Sequence, residues 1–198
     1  MIQKERNIMD KILAKRTSAL EEHYLRGHFG DHSDSNIIFE EQKNLMLHQI
    51  AFWPETITKI KPSLMGLIGK NSLPNPGKSI IEGEIALLRI EPLKIWIIGT
   101  IAPQFETDGS VILDISHSRT QIRISGVDAA NLLNRYLPID LREPSFPIGS
   151  VISSAFHHVG VTLWRTEAGY ELFLPRGFAL SLWELLLNGA AQFGYDVI

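Results

Sequence analysis

The chain has 198 residues, 44% of them hydrophobic and 21% charged, and a formal net charge of -3. That composition suits a globular protein long enough to bury a core, as one domain or two small joined ones, and the charge supplies no general attraction to nucleic acid or an anionic membrane. With no cysteine, disulfides, thiol catalysis and zinc–thiolate sites are excluded.

The first segment, 1–35, is charged and polar, with Ile8, Ile12 and Leu13 as a weak helical stripe. It lacks the apolar run of roughly 7–15 residues that marks a secretory signal. No stretch of the chain reaches the about 18 apolar residues of a membrane span, so a cytoplasmic location is expected. Gly27, Gly30 and the polar residues after them suit an extended arm without a core of its own, either mobile or ordered by lying on a partner. From Leu45 the pattern tightens. LMLHQIAF reads as a buried strand, and Pro54 opens a helix carried by Ile57, Ile60, Leu64, Leu67 and Ile68. Pro62 falls inside that run and should kink or split it. NSLPNPGKS is a loop, and EIALLRI and LKIWIIG are strands about the turn at Glu91-Pro92.

In the second half Thr120, Ile122 and Ile124 alternate with polar residues, as in a half-buried strand. Ser125 and Asp128 have the spacing of a capping box, with Asp in place of Glu, for a helix over 126–137 that stops before Pro138. LREPSFPIG is a connection, SVISSAFHHVGVTLWR and YELFLP are strands about TEAG, and 178–193 is a strongly amphipathic helix. No sequence repeat is evident. The order of elements indicates an α+β sandwich with helices on a sheet face. The expected division is an N-terminal arm (1–35), a first α+β subdomain (36–113) and a second (114–198).

DISHSRTQIRISG assembles Asp114, Ser116 and His117, the residue types of a nucleophilic triad. In an extended chain Asp114, Ser116 and Ser118 share one side and Ile115 and His117 the other. Ser116 then cannot present its hydroxyl to His117, as a nucleophile–base pair requires, and the chain has no G-x-S-x-G elbow. Local side-chain-to-backbone bonds that shape the start of the strand are the expected role, and no catalytic residue is expected. NSLPNPGKS falls short of a phosphate loop, because Ser72 stands where glycine is needed and Pro74 and Pro76 remove two N–H donors. His28, Asp31 and His32, and the pair His157-His158, do not converge as metal ligands must, and whichever of the pair faces inward should be a bonded core histidine. Of Trp53, Trp96, Trp164 and Trp183, most should fill the core. On the last helix Trp183 with Leu182, Leu185, Leu186 and Leu187 covers more than one face. Such a helix needs cover on two sides, from core alone or from its sheet and a partner subunit. Trp183, Leu186 and Leu187, with Tyr24 and Phe29 of the arm, are the candidate subunit interface.

LDISHSRTQIRISG, LLNRYLPIDL…FPIGS, HHVGVTLWR and YELFLPRGFALSLWELL together resemble the gamma subunit family of heterotetrameric sarcosine oxidase. They are at least as similar to the corresponding small subunit of bacterial N-methylglutamate dehydrogenase. The resemblance runs from about Leu45 to the C-terminus. It implies a folate-binding-domain-like fold, as in the glycine cleavage T-protein, with two ferredoxin-like βαββ-type halves. That family also carries an Asp-x-Ser-His stretch before a strand and an SG-x-D-A helix start, matched here by Asp114, Ser116 and His117 and by Ser125, Gly126, Asp128 and Ala129. The function it implies is that of a non-catalytic structural and assembly subunit of an oxidoreductase that demethylates an N-methylated amino acid. Its partners would be alpha-, beta- and delta-like subunits, with FAD, FMN, NAD, tetrahydrofolate and zinc on those chains and no cofactor or metal on this one. The alternative is a stand-alone folate-dependent aminomethyltransferase-like protein.

Overall fold

The computed structural model describes residues 17–30, 35–100 and 109–198. Ile8, Ile12, Leu13, Asp31 and His32 lie outside them. The first strands and helix are β1 (Gly27–Phe29), β2 (Ile37–Glu41), β3 (Leu47–Phe52), α1 (Ile57–Ile68), β4 (Ser79–Glu82), β5 (Ile85–Glu91), β6 (Lys94–Ile98) and β7 (Ser110–Asp114). Then follow β8 (Arg119–Ser125), α2 (Ala129–Leu133), β9 (Val151–Phe156), β10 (Val159–Thr166), β11 (Gly169–Pro175), α3 (Ala179–Ala190) and β12 (Tyr195–Val197). A seven-stranded sheet has the order β1-β12-β2-β8-β11-β10-β9 and a five-stranded sheet the order β4-β5-β6-β3-β7.

Alternation gives each sheet two apolar faces, and three cores fill them. Phe39, Ile122, Ile124, Leu163 and Leu172 of the larger sheet pack on Leu132 of α2 and on Leu182, Trp183 and Leu186 of α3. Leu47, Leu88 and Trp96 of the smaller sheet meet Val151, Trp164 and Phe173 of the larger one between the sheets. Ile50, Leu87, Ile95 and Ile97 pack on Ile60, Leu64 and Ile68 of α1. The layers therefore run α2/α3, seven-stranded sheet, five-stranded sheet, α1.

The same connectivity occurs twice. The strands of β3-α1-β4-β5-β6 lie in the order β4-β5-β6-β3, and those of β8-α2-β9-β10-β11 in the order β9-β10-β11-β8. Each half holds the expected βαββ run and one further strand. The halves meet at a corner with two-fold symmetry in its hydrogen bonds. Gly77 N–H donates to Arg89 O and Arg89 N–H to Lys78 O, while Gly149 N–H donates to Arg165 O and Arg165 N–H to Ser150 O. Across the corner Ser79 N–H donates to Gly149 O and Val151 N–H to Gly77 O, both at 2.8 Å. Gly77 and Gly149 hold φ of +77° and +84°, a conformation that glycine alone adopts without strain. NPGKS is half of this corner. The N–H groups of Gly77, Lys78 and Ser79, which a phosphate loop would offer to its ligand, are bonded to Arg89, Asn75 and Gly149 carbonyls.

Several expectations are corrected. α1 runs through Pro62 unbroken, because Pro62 and Thr58, whose carbonyl loses its intrahelical donor, both face solvent. The helix expected over 126–137 is regular only over Ala129–Leu133, and no capping box forms: Ser125 ends β8, and Asp128 Oδ1 accepts instead from Asn131 Nδ2 at 2.7 Å. SVISSAFHHVGVTLWR is two strands, and His157-His158 is the exposed two-residue hairpin between them, with His157 at φ +53°. Neither histidine is a core residue. The sheets also do not follow the division into 36–113 and 114–198 throughout, since β2 lies between β12 and β8 in the larger sheet.

Candidate functional site

The DISHS segment is a tight helical turn between β7 and β8 rather than extended chain. Ser116 is 4% exposed; its Oγ accepts from Leu47 N–H at 2.9 Å and donates to Leu47 O at 3.2 Å. Asp114 Oδ1 accepts from Ser116 N–H at 2.9 Å, and Ser118 Oγ donates to Ile115 O at 2.8 Å. The hydroxyl of Ser116 thus completes the pairing of β3 where the backbone turns away. The side-chain and backbone bonds from Ser116 hold the Asp114 carboxyl below its ordinary range.

Ser116→Ala should cost about 1–3 kcal/mol, the penalty for the Leu47 N–H left without its acceptor while Leu47 O keeps Ile115 N–H, read as a lowered urea midpoint. His117 is exposed, and His117→Ala should stay within about 0.5 kcal/mol of the parent chain. Because the folded Asp114 pKa is depressed, its contribution is complete at neutral pH and is lost as the pH falls below about 3.9 toward the folded value. A Ser116→Ala chain should show less of this acid sensitivity. An unchanged acid limb would mean that the turn does not act through Asp114.

A second set joins β1 to β12. His28 Nδ1 lies 2.8 Å from Asp196 Oδ1 and 2.9 Å from Ser35 Oγ. These contacts fasten the arm to β12. Among the described residues no three His, Asp or Glu side chains are grouped to hold a metal.

A third set crosses the larger sheet between the layers. Glu171, 1% exposed, accepts from Gln121 Nε2 at 2.8 Å and from Arg123 Nε at 2.6 Å, and Arg123 also donates to Glu40 at 3.0 Å. Burial alone would lower the Arg123 pKa, but the Glu171 and Glu40 carboxylates outweigh it and hold the guanidinium above its ordinary range.

The five interface candidates do come together, but against this chain's own core. Trp183 is 1% exposed, stacked on Tyr24 at 5.5 Å and edge-on to Phe39 at 5.2 Å. Leu186 is fully buried and Leu187 partly so. Phe29 stacks on Tyr195 at 5.4 Å. Tyr24 Oη accepts from Glu41 N–H and donates to Ile198 O. The second cover that α3 needs is therefore supplied by the chain's own arm, which leaves Trp183 and Leu186 no surface to offer a partner.

Apolar side chains are exposed at Leu25 on the arm, at Val127, at Phe178 before α3, and on the smaller sheet. Trp53 is 67% exposed, Val111 57% and Leu113 49%. Between Trp53 and β7 runs a groove of about 460 Å³ lined mainly by Ala51, Phe52, Trp53, Leu93 and Val111. Sequence reasoning passed over it, although Trp53 stands beside the helix-opening Pro54, a place where no apolar period requires burial.

No family model matches the chain. It is 27% identical to the sarcosine oxidase subunit gamma of an Arthrobacter species, over 68% of this chain and 73% of that one. This chain is a relative of the sarcosine oxidase gamma subunits. Gamma subunits from Corynebacterium strains U-96 and P-1 are 32% and 27% identical, over 33% and 44% of this chain and 32% and 43% of theirs. A chain of the heterotetrameric sarcosine oxidase of Corynebacterium sp. U-96, solved in complex with pyrrole 2-carboxylate, superposes with a TM-score of 0.74 at 17% identity, over 89% of this chain and 95% of its own. The glycine cleavage system aminomethyltransferase T of Bartonella henselae superposes at 0.63 and 13% identity, over 92% of this chain and 59% of its own. The fold is thus the α+β fold of a sarcosine oxidase chain and of the aminomethyltransferase. No helix among the described residues is long and apolar enough to cross a membrane.

Proposed function

We propose that this chain is the gamma-type structural and assembly subunit of a multi-subunit flavin-dependent oxidoreductase that demethylates an N-methylated amino acid, of the sarcosine oxidase or N-methylglutamate dehydrogenase type. The observation that carries the reading is the pairing of sequence and shape. The Arthrobacter gamma subunit aligns over 73% of its length, and the heterotetrameric enzyme contributes a chain covered to 95%. The candidate hydroxyl supports it too, since Ser116 is engaged by Leu47 on both its donor and acceptor sides. Flavins, nicotinamide cofactor, tetrahydrofolate and zinc would then reside on alpha-, beta- and delta-like subunits in the cytoplasm. The stand-alone aminomethyltransferase is the alternative, and its support is the superposition at 13% identity, a likeness of fold.

Co-expression with the neighbouring genes tests the reading. The expected product is one yellow species in which this chain co-elutes with a flavin-bearing subunit and disperses better than when made alone. A well-dispersed monomer that never co-elutes would overturn it. A tetrahydrofolate titration of the isolated chain separates the alternative, which requires saturable binding.

A further inference from the structure

β8 holds two arginines whose surroundings differ. Arg123 lies between the Glu171 and Glu40 carboxylates, which outweigh its burial. Arg119 is also partly buried, with its guanidinium 5.8 Å from the centroid of the Trp96 ring. Its Nη1 donates to Ser118 O at 3.1 Å and to Ser118 Oγ at 3.4 Å, and among the described residues it has no ion pair. Burial lowers its pKa, and no carboxylate offsets the lost hydration.

A second guanidinium stands beside it. Pro175, at the end of β11, is the register partner of Arg119, and Arg176 follows directly. Arg176 is partly buried and makes no hydrogen bond or ion pair among the described residues. Both arginines line a cavity of about 140 Å³ with Glu41, Gln42 and Lys43, from the end of β2 and the turn after it. Gln42 N–H donates to Gln121 O, which holds this turn against β8. The side-chain Nε2 of Gln42 is buried and has no partner among the described residues. Glu41 Oε1 accepts from the Ser18 hydroxyl, and its Oε2 is buried without a partner. Residues 1–16 lead into Thr17, which also lines the cavity. They carry Lys4, Arg6, Lys11, Lys15 and Arg16 against Glu5 and Asp10, so their net charge adds to that of the guanidinia instead of balancing it.

Two guanidinia and a buried amide nitrogen are all donors, and the group that satisfies them together is an anion. A carboxylate matches the planar fork of a guanidinium with two parallel bonds. The Glu41 carboxylate in the same cavity selects one negative charge over two, because like charges repel. The volume is close to the ~150 Å³ of a cavity that admits benzene, which limits the ligand to roughly six non-hydrogen atoms. We propose that this cavity binds a small monocarboxylate, held by Arg119 and Arg176 with the Gln42 amide donating to the same ligand. The site stands apart from the reading of the chain as an assembly subunit and does not depend on it.

Calorimetric titration of the purified full chain with propionate, at an ionic strength fixed with chloride, is the test. One propionate should bind per chain, and the Gln42 side-chain amide should shift along the same saturation curve in a nitrogen–proton correlation spectrum. Arg119→Gln and Arg176→Gln should each weaken binding at least tenfold. Arg176 bonds to nothing among the described residues, so Arg176→Gln should melt like the parent in chloride. Arg26→Gln, which removes an exposed charge outside the cavity, should leave binding within twofold. Propionate that never saturates, or that binds the folded arginine variants as tightly as the parent, overturns the site. Inorganic phosphate that binds more tightly than propionate overturns the choice of a single carboxylate. If propionate does not bind and Arg176→Gln instead loses co-elution with the neighbouring subunits, the cations serve an acidic residue of a partner and the proposal is wrong. Should Arg119→Gln not fold, Arg176→Gln and the Gln42 amide decide the matter.

Discussion

Replacing Glu171 with alanine should remove about 3–5 kcal/mol of folding stability, the usual cost of breaking one side of a buried ion pair. Glu171 is 1% exposed and holds both Gln121 and Arg123. Without it the Arg123 guanidinium keeps only Glu40, and the Gln121 amide loses its acceptor between the two sheets. Urea unfolding of the purified full chain gives the number. Glu40→Ala is the control: that side chain is 38% exposed, so water screens the pair and the loss should stay within about 1 kcal/mol. The pair Glu171→Leu/Arg123→Met should recover most of the stability, because apolar side chains of similar volume remove the stranded charge along with its partner. A Glu171→Ala chain no weaker than Glu40→Ala would show that the row does not stabilise the pairing of β2, β8 and β11.

Trp183→Ala should be comparably severe, about 3–5 kcal/mol for a large core aromatic. It would also loosen the arm. Tyr24 stacks on Trp183 from one side and Phe39 meets it edge-on from the other, so the hole opens beneath residues 19–25. Limited proteolysis of the variant should cut within that stretch under conditions where the parent is resistant. Tyr24→Ala should release the arm with a smaller loss of stability, since Tyr24 lies partly at the surface. If Trp183→Ala leaves both melting and proteolysis unchanged but abolishes assembly, the residue faces a partner after all.

The apolar pattern makes β3, β5, β6, β8 and β11 legible, as period-two alternation in β8 and as short apolar runs in the others, whose two faces are both buried. α3 is legible for the same reason at helical period. β2, β4, β7 and β12 are short, and three of them pair at or near a sheet margin, where alternation is weak or absent. The hairpin at His157-His158 hides because its turn carries no glycine, asparagine or aspartate to announce a positive φ. The repeat hides because topology and hydrogen bonding define it, and the corner retains only a glycine and an arginine in common, Gly77 and Arg89 against Gly149 and Arg165. The local bonding of Asp114, Ser116 and Ser118 follows from residue type, although the extended backbone assumed for it does not occur. The width of the apolar surface on α3 correctly says that two covers are needed. It carries no information on which chain supplies them, and the arm's own chemistry gives little hint that Tyr24 and Phe29 turn inward.

The placement of β1 and β2 bears on how the chain folds as it is synthesised. Both lie near the N-terminus, yet among the described residues β1 pairs only with β12, and β2 pairs with β12 and β8. All five strands of the smaller sheet lie within the first 114 residues, so they can pair while the ribosome is still making the rest. β2 can pair with β8 once that strand emerges, but β1 must wait until the last few residues do. Contacts of such sequence separation slow folding, and waiting strands are open to wrong pairings. A chain that stalls or is truncated shortly before Tyr195 would therefore leave β1 loose and β2 paired along one side alone, a species that chaperones and proteases are suited to catch.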